Sequence, residues 1–196
     1  MATENRINKI EEVLSKKQPD LAVVCENIYD PHNVSAIFRT CDATGVLDVH
    51  LLYNKFEFPE IGSRSSAGVR KWIRQHKYKE AEHCFNKLKE DGYQVLATRL
   101  DDDAISIYEF DLTQKIAIVM GNEHSGISPE FTNFCDKKIY IPIHGMVESL
   151  NVSVATAVIL YETYRQRHNK GYYSKCRLSD SEMDHLRKLW LYGRLS

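Results

Sequence analysis

The stretch IYIPIHGMVESLNVSVATAVILYE, residues 139–162, places a short apolar strand, a loop with Pro142 and Gly145, and the start of a helix in immediate succession. The strand is predicted over 137–142 and the helix over about 149–168, because apolar residues recur there at helical spacing. The residues on that apolar side are Leu150, Val154, Ala157, Val158 and Tyr161. A strand that leads into a long helix is typical of α/β domains with a largely parallel sheet.

The same alternation extends towards both ends of the chain. It predicts strands over 21–27, 46–53, 93–98 and 115–121, and helices over 4–18, 33–44, 80–91 and from Ser179 onward. We therefore predict an α/β fold with a mostly parallel sheet flanked by helices. Residues 1–20 are interpreted as an N-terminal helical extension, 21–168 as the α/β domain, and 169–196 as a C-terminal basic tail with a short helix.

Composition excludes several classes of protein. The 196 residues include five cysteines that never lie closer than 16 positions apart, which fits a reducing cytoplasm rather than a disulfide scaffold. No apolar run approaches the roughly 18 residues that span a bilayer, and the first residues lack the apolar segment of a signal peptide. The eight histidines show no metal-ligand spacing, so no metal site is expected.

The nine glycines exclude two nucleotide-binding motifs. No two of them form the G-x-G pair that a dinucleotide-binding loop needs. The segment GNEHSGIS, residues 121–128, has the glycine spacing of a phosphate-binding loop, but Ile127 stands where that loop needs lysine. A P-loop NTPase is therefore not expected.

Charge is segregated along a chain whose formal net charge is only −1. Residues 62–79 include six basic and no acidic residues, and residues 161–196 include eight basic and four acidic ones. Two basic segments on an otherwise acidic chain predict a polyanion-binding surface. Two basic segments that are merely solvated remain the alternative.

The first of three polar segments is YDPHNVSAIFRTCDATG, residues 29–45, which follows a predicted strand. Open parallel sheets bind ligands beyond the carboxyl ends of their strands. Asn33 is the predicted N-cap of the helix and Arg39 lies two turns later, so we expect both at one pocket mouth. The alternative is a capped helix with a surface arginine.

The other two segments also begin where strands end. In 116–128, Gly121 is expected to let the backbone approach a ligand, and Glu123 brings a carboxylate to the strand end. Ser149 and Asn151 lie in the first turn of the predicted long helix, whose free backbone amides bind anions. An ordinary polar turn and a simple N-cap at Ser149 are the alternatives.

In this order, the three segments resemble the sequence motifs of the SpoU branch of the SPOUT RNA methyltransferases. PHNVSAIFRTCDATGV resembles the first motif, IVMGNEHSGIS the second, and IPIHGMVESLNVSVATAVILYE the third. The similarity is closest to the TrmH family of tRNA guanosine-18 2′-O-methyltransferases, and it extends over about residues 4 to 175. Ser35 departs from the glycine that is usual in the wider SpoU family.

The resemblance implies a SPOUT fold with a C-terminal trefoil knot and a homodimer whose active site lies near the subunit interface. It implies transfer of a methyl group from S-adenosyl-L-methionine to the ribose 2′-hydroxyl of guanosine 18 in tRNA, without a metal. The implied cofactor contacts are Thr98, Leu100, Gly121, Ile141, Ser149 and Leu150. The implied catalytic and substrate positions are Asn33, Arg39, Glu123, Ser149 and Asn151.

The basic segments and the resemblance together predict RNA contacts at Arg6, Arg64, Arg70, Lys71, Arg74, Arg165, Arg167 and Lys170. Because a guanidinium is a poor proton acceptor, Arg39 is expected to clamp a phosphate and stabilise charge on the 2′-oxygen. Glu123 is expected to orient Arg39 or to accept the proton. A ribosomal RNA or another tRNA nucleoside remains an alternative substrate, and a non-catalytic RNA-binding module is the alternative of another class.

Overall fold

The computed structural model describes residues 3–60 and 68–193. Within these ranges seven strands form one sheet in the order β3-β2-β1-β6-β4-β7-β5, and every neighbouring pair is parallel. The strands are β1 (Gln18–Glu26), β2 (Val46–Leu52), β3 (Arg74–Tyr78), β4 (Gln94–Thr98), β5 (Ile105–Ser106), β6 (Ile116–Met120) and β7 (Lys137–Tyr140). The predicted α/β fold with a mostly parallel sheet is confirmed.

Helices flank this sheet, as predicted. They are α1 (Glu4–Leu14), α2 (Pro31–Ala43), α3 (Ala81–Glu90), α4 (Pro129–Phe134), α5 (Val152–Asn169) and α6 (Asp180–Tyr192). The central strands β1 and β6 are near-continuous apolar runs because both of their faces are buried. Val23 and its alternate neighbours pack with α2 and α5, whereas Val24 belongs to the core formed with α3 and α4.

The first and last helices pack against each other beside the sheet. Leu14 of α1 and Trp190 of α6 belong to one small apolar cluster, and the guanidinium of Arg187 pairs with Glu11. Helix α6 begins after Ser179, whose hydroxyl caps it, so the predicted helix at this position is confirmed. The division of the chain at residues 20 and 168 stays a prediction.

The sequence pattern missed β3 and misplaced the start of β1. Strand β3 reads RQHKY, and a polar strand at the edge of a sheet shows no apolar periodicity. Helix α1 ends at Leu14 rather than at residue 18, and β1 already begins at Gln18. Pro19 lies inside β1 rather than between the elements, at a point where the pairing with β2 is irregular.

The predicted apolar side of α5 is wrong at Val154 and Tyr161, although Val158 packs against the core. Val154 and Tyr161 are 49% and 54% exposed, whereas Val152, Ile159 and Leu160 are buried. Apolar residues occur around much of this helix, so their spacing does not select the side that faces the sheet. The helix also begins later than predicted, at Val152.

Because all seven strands are parallel, their carboxyl ends lie at one edge of the sheet. The loops after β1, β6, β4 and β7 therefore emerge next to one another in the order of the strands. This edge is where open α/β sheets bind ligands. The trefoil knot that the resemblance implies stays a prediction.

Candidate active site

A cavity of about 430 Å³ lies at the carboxyl ends of β4, β6 and β7, beside the start of α5. Its wall includes all six positions that the resemblance assigned to the cofactor: Thr98, Leu100, Gly121, Ile141, Ser149 and Leu150. Apolar side chains that the motifs did not single out complete the wall, among them Met120, Ile139, Ile143, Val152, Ala155 and Ile159. A partly apolar wall with a few polar groups is typical of a site for a small organic molecule.

Gly121 is required because the chain folds back on itself at this point. A methyl group on its Cα would lie 2.3 Å from the carbonyl carbon of Gly126 and from the backbone nitrogen of Ile127. Asn122 and Gly126 exchange backbone hydrogen bonds of 3.0 and 2.9 Å that hold this loop closed. The absence of a side chain at Gly121 therefore lets the backbone of Gly126 and Ile127 pack against it, and Gly121 also lines the cavity.

The carboxylate of Glu123 fastens the loop after β6 to the loop after β1. Its Oε2 accepts a hydrogen bond from the backbone nitrogen of Tyr29 (2.8 Å), and its Oε1 accepts from the backbone nitrogen of Asp30 (3.1 Å) and Nδ2 of Asn33 (2.8 Å). Desolvation by itself would raise the pKa of Glu123, but the donors outweigh it, so the pKa is lowered from its usual value. Glu123 is therefore an ionised anchor, and both of its carboxylate oxygens already accept hydrogen bonds.

Asn33 connects this anchor to α5. Its Nδ2 donates to Glu123, and its Oδ1 accepts a hydrogen bond of 3.2 Å from Nδ2 of Asn151. Each of the three polar segments thus contributes one residue to a hydrogen-bonded chain. The predicted capping role of Asn33 is wrong, because Asp30 caps α2 by accepting a hydrogen bond of 2.8 Å from the backbone nitrogen of His32.

Asn151 is the N-cap of α5. Its Oδ1 accepts hydrogen bonds from the backbone nitrogens of Ser153 (2.9 Å) and Val154 (3.4 Å). These two amides therefore already have an acceptor, and the expectation that they are free to hold an anion is wrong. Ser149 precedes the helix and is an exposed residue on the cavity wall.

Arg39 is exposed on α2 and does not line the cavity. It follows Asn33 by six positions, which places it about 9 Å farther along the helix axis. Within residues 3–60 and 68–193, its guanidinium has no hydrogen-bond or ion-pair partner. A single chain thus leaves this guanidinium outside the wall of its own cavity.

The prediction that Arg167 contacts RNA is wrong, because its side chain is completely buried. Its guanidinium donates hydrogen bonds to Oδ1 of Asp20 (2.5 Å) and to the carbonyls of Leu112 (3.1 Å) and Gln114 (2.6 Å). Arg177 pairs with the same Asp20 at 2.8 Å. Part of the positive charge of the C-terminal segment therefore neutralises an acidic residue of the sheet.

The remaining basic positions that the structure describes lie at the surface. Exposed residues among them are Arg6, Arg70, Lys71, Arg74, Arg165 and Lys170. Some also have acidic neighbours within the chain: Arg74 with Asp48 at 2.6 Å, Arg165 with Glu162 at 2.7 Å, and Lys170 with Asp111 at 3.6 Å. Arg64 lies outside the described residues. RNA contacts at these seven positions stay predictions.

Asn27 is a structural residue of the site that the motifs did not reveal. It follows β1 with a φ of 51°, a left-handed conformation that asparagine tolerates better than most residues. Its Nδ2 donates to Oδ1 of Asn54 (2.7 Å), and its carbonyl accepts from Nδ2 of Asn122 (2.8 Å). Asn27 thus ties together the loops after β1, β2 and β6. The signal was an asparagine as the last residue of the strand predicted over 21–27.

Two further kinds of feature are absent from the part of the chain that the structure describes. It contains no group of three histidine, cysteine or acidic side chains arranged to hold a metal ion. It also contains no helix with the length and apolar character needed to cross a membrane. All five cysteines are unpaired thiols.

The sequence is similar to that of known RNA-modifying enzymes. Residues 20–161 match the model of the SpoU rRNA Methylase family. The tRNA (guanosine(18)-2′-O)-methyltransferase of Aquifex aeolicus is 41% identical over 192 residues, which cover 98% of this chain and 91% of that protein. The enzyme of the same name from Thermus thermophilus is 44% identical over 189 residues, which cover 96% and 97%.

Solved structures are similar in the same way. The crystal structure of the A. aeolicus TrmH/SpoU tRNA modifying enzyme matches with a TM-score of 0.91 at 41% identity and covers 98% of both chains. An AdoMet-bound rRNA methyltransferase from Sinorhizobium meliloti matches with a TM-score of 0.68 at 25% identity, over 79% of this chain and 59% of that one.

Proposed function

Because this chain belongs to the SpoU rRNA methylase family, we propose that it methylates the ribose 2′-hydroxyl of guanosine 18 in tRNA, with S-adenosyl-L-methionine as the methyl donor. The relatives that match nearly its whole length carry this nucleoside and position in their names. The observation that carries the proposal is the cavity beside α5, at whose edge Glu123, Asn33 and Asn151 form one hydrogen-bonded chain.

The cavity suits the methyl donor in size and chemistry. Its volume of about 430 Å³ falls in the range of small-molecule sites. Leu100, Ile141 and Leu150 offer apolar surface to an adenine ring, and the strand ends and the Ser149 hydroxyl offer hydrogen-bonding groups to its polar parts. When bound, S-adenosyl-L-methionine supplies an electrophilic methyl group on a sulfonium.

Glu123 acts as a positioning residue in this proposal rather than as the base. A carboxylate with a lowered pKa is a weaker proton acceptor than an ordinary one, and this carboxylate already accepts three hydrogen bonds. Its role is to hold Asn33 in one orientation beside the cavity. Asn33 and Asn151 then present fixed amide groups to the target ribose.

Arg39 supplies the positive charge at the reacting oxygen. A guanidinium binds a phosphate through two parallel hydrogen bonds and stabilises negative charge that develops nearby. Because Arg39 lies outside the cavity wall of its own chain, we place the complete active site at the interface of a homodimer. The exposed Val154 and Tyr161 on α5 offer an apolar face to a second copy. The unpaired thiols suit a protein of the cytoplasm.

The test of the function is incubation of the protein with labelled S-adenosyl-L-methionine and a tRNA transcript, followed by mapping of the modified nucleoside. A transcript with 2′-deoxyguanosine at position 18 is the matched control, because it lacks only the acceptor hydroxyl. We expect label on the ribose of guanosine 18 and none on the control. Label on a base, or label on ribosomal RNA in place of tRNA, would contradict the proposal.

The role of Arg39 is tested by Arg39→Ala. We expect methylation to fall by far more than tenfold, while the Kd for S-adenosyl-L-methionine changes little, because the guanidinium does not line the cavity. Arg39→Lys is the matched control: it keeps the charge but loses the two-pronged contact, so it should retain part of the activity. Turnover of Arg39→Ala within tenfold of the wild type would exclude this role.

A further inference from the structure

Two aromatic rings stand together at the surface on the carboxyl edge of the sheet. Tyr29, in the loop after β1, is 65% exposed, and Phe56, in the loop after β2, is 40% exposed. Their ring centroids lie 5.6 Å apart with the planes at 71°, an edge-to-face pair. Packing in the core therefore does not explain why two large aromatic rings occur at these positions.

This aromatic pair is directly connected to the proposed active site. The backbone nitrogen of Tyr29 donates the 2.8 Å hydrogen bond to Oε2 of Glu123, the residue that also holds Asn33. The cavity lies beyond β6, β4 and β7, and the pair lies beyond β1 and β2, next along the same edge of the sheet. A ligand that leaves the cavity in this direction meets the two rings.

Lysines lie next to the segment that holds Phe56, and Nζ of Lys79 donates a hydrogen bond of 3.3 Å to the carbonyl oxygen of Phe56. The Nζ atoms of Lys77 and Lys79 lie 4.9 and 4.7 Å from the ring centroid of Phe58, and both side chains are exposed. Lys79 also lies 3.5 Å from the exposed carboxylate of Glu57. Phe58 packs against the buried Tyr53, at 5.7 Å between ring centroids. This contact holds Phe58, and with it the segment that carries Phe56, against the core.

Exposed rings with cations beside them are what an unstacked nucleobase and its phosphate require. Proteins recognise single-stranded or looped RNA by stacking bases on aromatic side chains. We propose that Tyr29 and Phe56 stack a base of the substrate RNA within one nucleotide of the methylated ribose, and that Lys77 and Lys79 contact its phosphate. The proposal rests on the proposed function and names a contact that selects the RNA.

A second copy of the chain is the other possible occupant of this surface. The clustered lysines argue against it, because two identical basic patches repel each other when they face one another. The apolar face of α5 is the better candidate for contact between copies. The oligomeric state of the variants is therefore measured in the same experiment.

The experiment compares Tyr29→Ala and Phe56→Ala with Tyr29→Phe, which keeps the ring, and with Tyr192→Ala, which removes a tyrosine that is 69% exposed on α6. Loss of one base–aromatic stack weakens binding by about tenfold or more. We therefore expect the Kd for tRNA to rise about tenfold for the first two variants and to stay near the wild-type value for the last two. The Kd for S-adenosyl-L-methionine should not change in any of them.

Coupling between ring and base provides the decisive measurement. Transcripts with an abasic residue at position 17, 18 or 19 should bind the wild type more weakly at one of these positions, and that loss should disappear in Tyr29→Ala. Losses that simply add at all three positions, or a dimer that dissociates when Tyr29 is replaced, overturn the stacking proposal. A wild type that fails to methylate guanosine 18 counts against the proposed function, whereas missing coupling in an active wild type counts against stacking alone.

Discussion

Replacing Arg167 by alanine should destabilise the fold and leave RNA affinity nearly unchanged. The buried guanidinium donates to Oδ1 of Asp20 and to the carbonyls of Leu112 and Gln114. Removing one member of a buried ion pair costs about 3–5 kcal/mol when the other charge is left alone. Asp20 keeps Arg177 at 2.8 Å, so we expect the lower end of that range, about 3 kcal/mol, chiefly from the two carbonyls left without a donor.

Equilibrium unfolding in urea measures this loss. All variants are compared at one protein concentration, because the stability of the proposed homodimer would depend on it. Arg165→Ala is the matched control on the same helix: Arg165 pairs with Glu162 at the surface, so its removal should change stability little. The affinity of the wild type and of Arg167→Ala for tRNA is then measured at several salt concentrations, at a temperature where both are folded. Arg165→Ala serves the stability comparison alone, because an RNA contact at Arg165 stays a prediction.

The two roles of Arg167 predict opposite results. If Arg167 is a structural residue, its replacement lowers the urea midpoint and does not change the salt dependence of tRNA binding. If Arg167 contacts a phosphate, its replacement does not change the urea midpoint and reduces the slope of log Kd against log salt by about one unit. An Arg167→Ala variant as stable as Arg165→Ala, with a slope smaller than that of the wild type by about one unit, would refute the structural reasoning.

Three more predictions concern the cavity and its hydrogen-bonded chain. Gly121→Ala should weaken binding of S-adenosyl-L-methionine in calorimetry, because a Cβ would meet backbone at 2.3 Å, whereas Gly145→Ala, with nothing within 4 Å, should not. Asn151→Ala should lower the free energy of unfolding in urea by about 1 kcal/mol through loss of the N-cap; Asn151→Asp, which keeps the acceptor but cannot donate to Asn33, should retain stability and lose activity. Because the pKa of Glu123 is lowered on folding, its contribution to stability is complete above the usual value of 4.5 and is lost as the pH falls from there through the folded value. Acid unfolding curves of wild type and Glu123→Gln should therefore differ above pH 4.5 and converge at lower pH, and a constant difference would contradict this assignment.

The sequence predicted the centre of the sheet well and its edge poorly. Strands β1 and β6 are buried on both faces, and this burial produces the continuous apolar runs that sequence patterns detect. Strand β3 pairs with β2 on one side only, so polar residues suffice there. Its Arg74 even pairs with Asp48 of β2, a contact that no local pattern reveals.

The site shows the same division between local and long-range information. The Asp30-Pro31 pair indicates the start of α2, because aspartate is a favourable N-cap and proline is favourable at the first helical position. Together they predict the start of the helix better than the capping preference of Asn33 does. The burial of Arg167 has no comparable signal. Its partner Asp20 lies 147 positions away in the sequence. Without the folded structure, an arginine near the end of a helix is therefore interpreted as a surface residue.

The arrangement of the proposed active site favours catalysis by position and charge over catalysis by a dedicated base. Glu123 already accepts three hydrogen bonds, and Arg39 carries a guanidinium, a group that has donors but no acceptor. The ribose hydroxyl would then pass its proton to solvent or to a phosphate oxygen of the RNA as the new carbon–oxygen bond forms and the sulfur–carbon bond of the donor breaks. The barrier would therefore depend on how well the oxygen is aligned and how well its developing charge is stabilised. The hydrogen bonds from Glu123 through Asn33 to Asn151 provide alignment from within one chain. In the proposed homodimer the guanidinium of Arg39 provides the charge from outside that chain's cavity, so the proposal makes assembly of two copies a requirement of the chemistry rather than of stability alone.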